Sequence, residues 1–65
     1  MEITLVRAGR AKKINFRGGT IAEVVASNGL NGETFVTKLN GEVAHPRERL
    51  REGDILEFVD VIYGG

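Results

Sequence analysis

Apolar residues recur along the chain in two rhythms. From Glu2 to Val6 they alternate, Ile3 and Leu5 sharing one face while Thr4 and Val6 take the other, which is the period of a half-buried strand. The alternation resumes from Lys13 to Arg17 with Ile14 and Phe16 inward, and Arg7-Ala8-Gly9-Arg10-Ala11 supplies a glycine-bearing turn between the two runs. Two such strands joined by a short loop predict an antiparallel hairpin. After Gly18-Gly19 the spacing lengthens: Ile21, Val24 and Val25 fall on one side of a helix. Thr20 stands where an N-cap belongs, and Glu23 follows at capping-box spacing, which satisfies backbone donors left over at a helix start. Asn28-Gly29 predicts the stop, since glycine adopts left-handed backbone angles without steric cost.

A period of two returns beyond a predicted turn at Asn31-Gly32, where Phe35, Thr37 and Leu39 alternate against Val36 and Lys38. Asn40-Gly41 is a strong signal for a two-residue type I′ turn, leading into a brief strand at Glu42-Val43-Ala44. His45-Pro46 is an extended dipeptide that ends pairing. Pro46 to Arg51 is predicted to make one irregular helical turn, pinned into the core by Leu50. Gly53-Asp54 then turns the chain into a last strand over residues 55–61, with Leu56 and Phe58 inward and Glu57, Val59 and Val61 on the opposite face. The predicted class is α+β, with a mixed four- to five-stranded sheet covered on one face by a single helix. Because that helix provides the crossover parallel neighbours need, the first and last strands can lie side by side at the sheet's centre. This is a β-grasp: one domain over residues 1–65, with residues 62–65 expected as a flexible C-terminal tail.

Composition narrows the chemistry. Sixty-five residues allow one modest core, and the absence of cysteine excludes disulfides, thiolate metal sites and a cysteine nucleophile. Nine basic and nine acidic residues cancel, which argues against strong nucleic-acid affinity. The cations Arg7, Arg10, Lys12, Lys13 and Arg17 nevertheless gather early, and Asp54, Glu57 and Asp60 late, leaving room for an acidic partner of the first hairpin. With no apolar run of membrane-spanning length and no signal-peptide pattern, a soluble cytoplasmic protein is expected. Gly18-Gly19-Thr20 lacks the lysine and spacing of a phosphate-binding loop, no serine–histidine–acid set stands out, and a single imidazole, His45, cannot build a metal site. Neither a catalytic residue nor a bound metal or cofactor is expected.

The chain closes on Gly64 and Gly65 directly after an apolar strand. Glycine contributes nothing to packing there, yet it suits a backbone that must thread a narrow slot, where any side chain would clash at the reacting carbon. A frayed or extraneous end has the same appearance. A carboxylate is a poor electrophile and has to become a mixed anhydride before it can be substituted. Nothing in this chain performs that activation, so the residues point to a co-substrate acted on by another protein.

The sequence resembles the small sulfur-carrier proteins of thiamine and molybdopterin synthesis, relatives of ubiquitin. The resemblance rests on Asn40-Gly41-Glu42-Val43, on Leu50-Arg51-Glu52-Gly53-Asp54 followed by Ile55-Leu56-Glu57-Phe58, and on Gly64-Gly65 at the family's spacing from Gly53-Asp54; Pro46-Arg47 is similar to the thiamine branch. It implies that an ATP-using adenylating enzyme of the ubiquitin-activating type activates Gly65. A sulfur donor then converts that end to a thiocarboxylate for an acceptor synthase, either thiazole synthase or the large subunit of molybdopterin synthase. Gly64 and Gly65 would thread the partner's active site. Docking is expected on the sheet face away from the helix, through Val6, Val36, Val59 and Val61 beside Thr4, with Arg7 and Arg10 at the rim meeting acidic groups. Two other readings stay open: a protein modifier joined through Gly65 to target lysines, and an RNA-binding module using the early cations.

Overall fold

The computed structural model describes residues 1–30 and 34–61. Within them the elements run β1 (Glu2–Arg7), β2 (Arg10–Asn15), α1 (Ile21–Ser27), β3 (Phe35–Leu39), β4 (Glu42–Val43) and β5 (Ile55–Asp60). The turn expected at Asn31-Gly32 lies outside the described residues. The strands form one sheet in the order β2-β1-β5-β3-β4, with β1 and β5 parallel at its centre and every other pairing antiparallel. That is the β-grasp arrangement, with α1 on one face.

The alternation in the sequence becomes the core. Ile3, Ile21, Val24 and Leu56 are fully buried, Phe58, Leu50 and Ala44 nearly so, and Leu5, Ile14, Phe16, Val25, Leu30, Phe35 and Leu39 pack around them. Phe35 and Phe58 meet edge to face with ring centroids 5.0 Å apart, an arrangement that adds to plain area burial. Thr37 is buried on the same face, and its hydroxyl donates to the Ala44 carbonyl at 2.9 Å.

The helix begins as its cap predicts. The Thr20 hydroxyl accepts from the Glu23 N–H at 3.3 Å and lies 3.4 Å from the Glu23 carboxylate. Gly19 has φ 138°, so the backbone calls for glycine there; a side chain would also make the Glu23 carboxylate shift.

Two local expectations are corrected. The first hairpin closes on two residues, Ala8 (φ 52°) and Gly9 (φ 77°), so β1 extends through Arg7 and β2 starts at Arg10. Cross-strand register outweighs the cost of about 1–2 kcal/mol for placing alanine in the left-handed region. Residues 46–51 form no helical turn. Instead the Glu48 N–H donates to the His45 carbonyl at 2.9 Å, Arg49 bridges Thr20, and the loop carbonyls of Glu48 and Pro46 accept the N–H groups of Ile21 and Ala22 at 3.0 and 2.9 Å. Those two donors belong to the first turn of α1, which has no intrahelical acceptors for them. Leu50 does anchor the segment, at 4% exposure.

The turn at Asn40 (φ 51°) and Gly41 (φ 89°) is the predicted one, and it also fixes the start of β5. The Asn40 Oδ1 accepts from the Ile55 N–H at 2.9 Å, its Nδ2 donates to Asp54 Oδ1 at 3.0 Å, and its own N–H donates to the Ile55 carbonyl at 2.8 Å. Asp54 Oδ2 in turn accepts from the Arg51 N–H at 2.7 Å.

Candidate docking face and tail exit

β5 is bonded along one side to β1 and along the other to β3, and so lies in the middle of the sheet. Because it runs parallel to β1, it ends beside Arg7 and the first hairpin. The Val61 N–H still reaches the Thr34 carbonyl at 3.4 Å, one step beyond the strand. Residues 62–65, including Gly64 and Gly65, lie outside the described residues.

The face of β5 turned away from α1 carries Ile55, Glu57 and Val59. Val59 sits directly opposite Val36, the two being 36% and 38% exposed. Glu57 lies between Val6 of β1 and Lys38 of β3, and Lys38 in turn faces Val43 of β4. Ile55 pairs with Thr4. The surface is thus an aliphatic patch around one central pair of opposite charges. Val6, Val36 and Val59 stand on it, and Val6, Thr4 and Val61 are half-buried. Sequence reading passed over Ile55 (48% exposed) and Val43 (71% exposed), which complete the patch. Both were accessible: Ile55 has the same parity as Val59, and a two-residue turn at Asn40-Gly41 sets Val43 across from Lys38.

Arg7 and Arg10 face each other at the hairpin's end, but on the side of the sheet that carries α1, in line with Leu5. The Arg7 guanidinium is 2.8 Å from Asp60 Oδ1 and 5.6 Å from the centre of the Phe35 ring. It therefore braces the last turn of β5 against the hairpin, while Arg10 is exposed. His45 serves its own loop, its Nδ1 accepting from the Arg47 N–H at 3.1 Å. Among the described residues no group of three or more His, Cys, Asp or Glu is placed to hold a metal ion, and no helix is long and apolar enough to cross a membrane.

A rigid central strand that ends beside an apolar face is a platform for presenting whatever follows it. The model of the ThiS family matches residues 6–65, all but the first five residues of the chain. The chain belongs to the ThiS family. It is thereby a ubiquitin-like sulfur-carrier protein, as the residues around Asn40-Gly41 and Gly53-Asp54 suggest. Among solved structures, a thiamine biosynthesis protein (ThiS) from Geobacter metallireducens aligns over 95% of this chain and 99% of that one, with a TM-score of 0.68 at 22% identity. At that identity the likeness is one of fold, and it covers the ThiS domain from end to end.

Proposed function

We propose that this ThiS-family chain carries sulfur for the thiazole half of thiamine, as a thiocarboxylate on Gly65. The observation that carries this reading is the family match, which runs through to Gly65 on a chain whose last strand is paired with β1 as far as Phe58 and with β3 as far as Asp60. The thiamine branch is taken from the ThiS family match and from Pro46-Arg47, which resembles that branch.

A Gly65 carboxylate oxygen attacks the α-phosphorus of ATP in an adenylating enzyme of the ubiquitin-activating type. Pyrophosphate leaves, and the carboxyl becomes a mixed anhydride with AMP. Sulfur at the sulfide oxidation level, brought by a donor protein, then attacks the acyl carbon and expels AMP. The resulting thiocarboxylate passes its sulfur to the acceptor, thiazole synthase in this reading. No side chain of this chain takes part in the bond changes; the chain supplies the acyl end and the surface that positions it. Val36 and Val59, with Val6, Ile55 and Val43 around them, are the docking patch, since a contiguous exposed aliphatic cluster rimmed by polar residues marks an interaction surface. Gly64 and Gly65 pass through the slot that leads to the nucleotide.

The test is ATP–pyrophosphate exchange by the adenylating enzyme in the presence of this chain. Exchange should depend on Gly65 and should vanish when it is deleted. A chain lacking Gly65 that still supports exchange would overturn the proposal.

A further inference from the structure

A second groove lies on the helix-bearing side of the sheet, between the first hairpin and the C-terminal end of α1. Its volume is about 330 Å³; Leu5, Leu30 and Phe58 form its floor, and Arg7, Arg10, Lys12 and Asn28 line its walls. No carboxylate occurs among these described lining residues, and Arg7 is already paired with Asp60. Arg10 and Lys12, both exposed, supply the positive rim. The chain as a whole is neutral, so this field is local to the hairpin.

The same hairpin presents an open strand edge. β2 is the end of the sheet, and its backbone alternation is fixed by Met1 and Phe16, which exchange bonds of 2.7 Å in both directions. Counting along the register from that pair, Arg10, Lys12 and Ile14 direct N–H and C=O toward β1, while Ala11, Lys13 and Asn15 direct theirs away from the sheet. An edge of this kind is a template for one more strand. Lys12 and Lys13 repel a second copy of β2, which disfavours self-pairing, but they attract a strand of opposite charge.

We propose that the β2 edge and the adjoining groove form a second docking site, taking an extended acidic segment of a partner protein by strand addition. Its backbone pairs with Ala11, Lys13 and Asn15; its aliphatic side chains turn toward Leu5 and Leu30; its carboxylates meet Arg10 and Lys12. Phe58 belongs to the groove floor and to β5, so a segment held here lies beside the C-terminal half of that strand. The inference stands apart from sulfur carriage, because binding is read without activating Gly65.

The experiment is an amide NMR titration of the full chain with a short synthetic peptide in which aliphatic residues alternate with threonine between Asp and Glu ends. The Ala11, Lys13 and Asn15 amides should shift and gain protection from hydrogen exchange, and added salt should weaken the effect. R10E combined with K12E changes exposed positions only and should lower affinity about tenfold, the worth of two screened ion pairs. Lys13→Pro removes one outward donor while leaving the bonds to β1 intact, and should also weaken binding. The proposal is overturned if a peptide with lysine ends binds equally well, if shifts map to Val36 and Val59 instead, if an oligouridine shifts these amides and the peptide does not, or if millimolar peptide shifts nothing.

Discussion

Asn40 shows how much a single residue can join. It tolerates the left-handed angle of the type I′ turn, and its amide bonds both Ile55 and Asp54 across the sheet. Asn40→Ala forfeits both roles and should destabilise the chain by about 1–3 kcal/mol, whereas Asn40→Gly keeps the angle and should lose less. Urea denaturation of the two variants checks the order; since both lack the amide, equal losses would mean that the left-handed angle costs alanine nothing here. The turn itself is legible in the sequence, since Asn-Gly between alternating runs has few other uses. The clamp is not, because its partners stand 14 and 15 residues downstream and only the folded register brings them within reach.

Elements follow a similar division. α1 has seven residues, too few to persist alone, so its helicity comes from Ile21 and Val24 in the core and from the loop carbonyls at its N-terminus. Leu50 holds that loop in place, and Leu50→Ala should cost about 2–4 kcal/mol while exposing the first turn of α1 to faster amide exchange. Protection unchanged at Ile21 and Ala22 would show that the loop does not support the helix. In β5 the two faces separate cleanly. Phe58→Ala should lose about 3–5 kcal/mol through the cavity left against Phe35, while Val59→Asp should stay within about 1 kcal/mol of the parent. Thermal melts of both distinguish the assignment, and the reverse ranking would place the core on the wrong side of the strand. Periodicity gave these faces directly, because strand alternation encodes burial. It failed at β2, where Arg10-Ala11-Lys12 carries no apolar alternation and only register shows the strand, and at residues 46–51, whose conformation answers to unsatisfied donors on a distant helix.

At the scale of the molecule, one small core supports two surfaces and an end. The outer face is aliphatic around Lys38 and Glu57; the hairpin side is cationic above an apolar floor. Sequence alone indicated the first from parity and the second only as an early excess of positive charge, since the groove requires hairpin and helix to be assembled. On the proposed reading, the outer face docks the activating enzyme, so Val59→Asp should raise the chain concentration needed for half-maximal pyrophosphate exchange at least about tenfold without altering the fold. An unchanged concentration dependence would move the docking site elsewhere.

The central claim is that the acyl end at Gly65 is the working group. It is tested most directly by intact-mass spectrometry of the full chain after incubation with its adenylating enzyme, ATP and a sulfur donor. The account predicts a gain equal to the exchange of one oxygen for sulfur, localised to Gly65 by fragmentation and absent from a chain lacking that residue. An unmodified chain beside a demonstrably active enzyme, or a mass that instead reports Gly65 joined to a lysine of another protein, would contradict it.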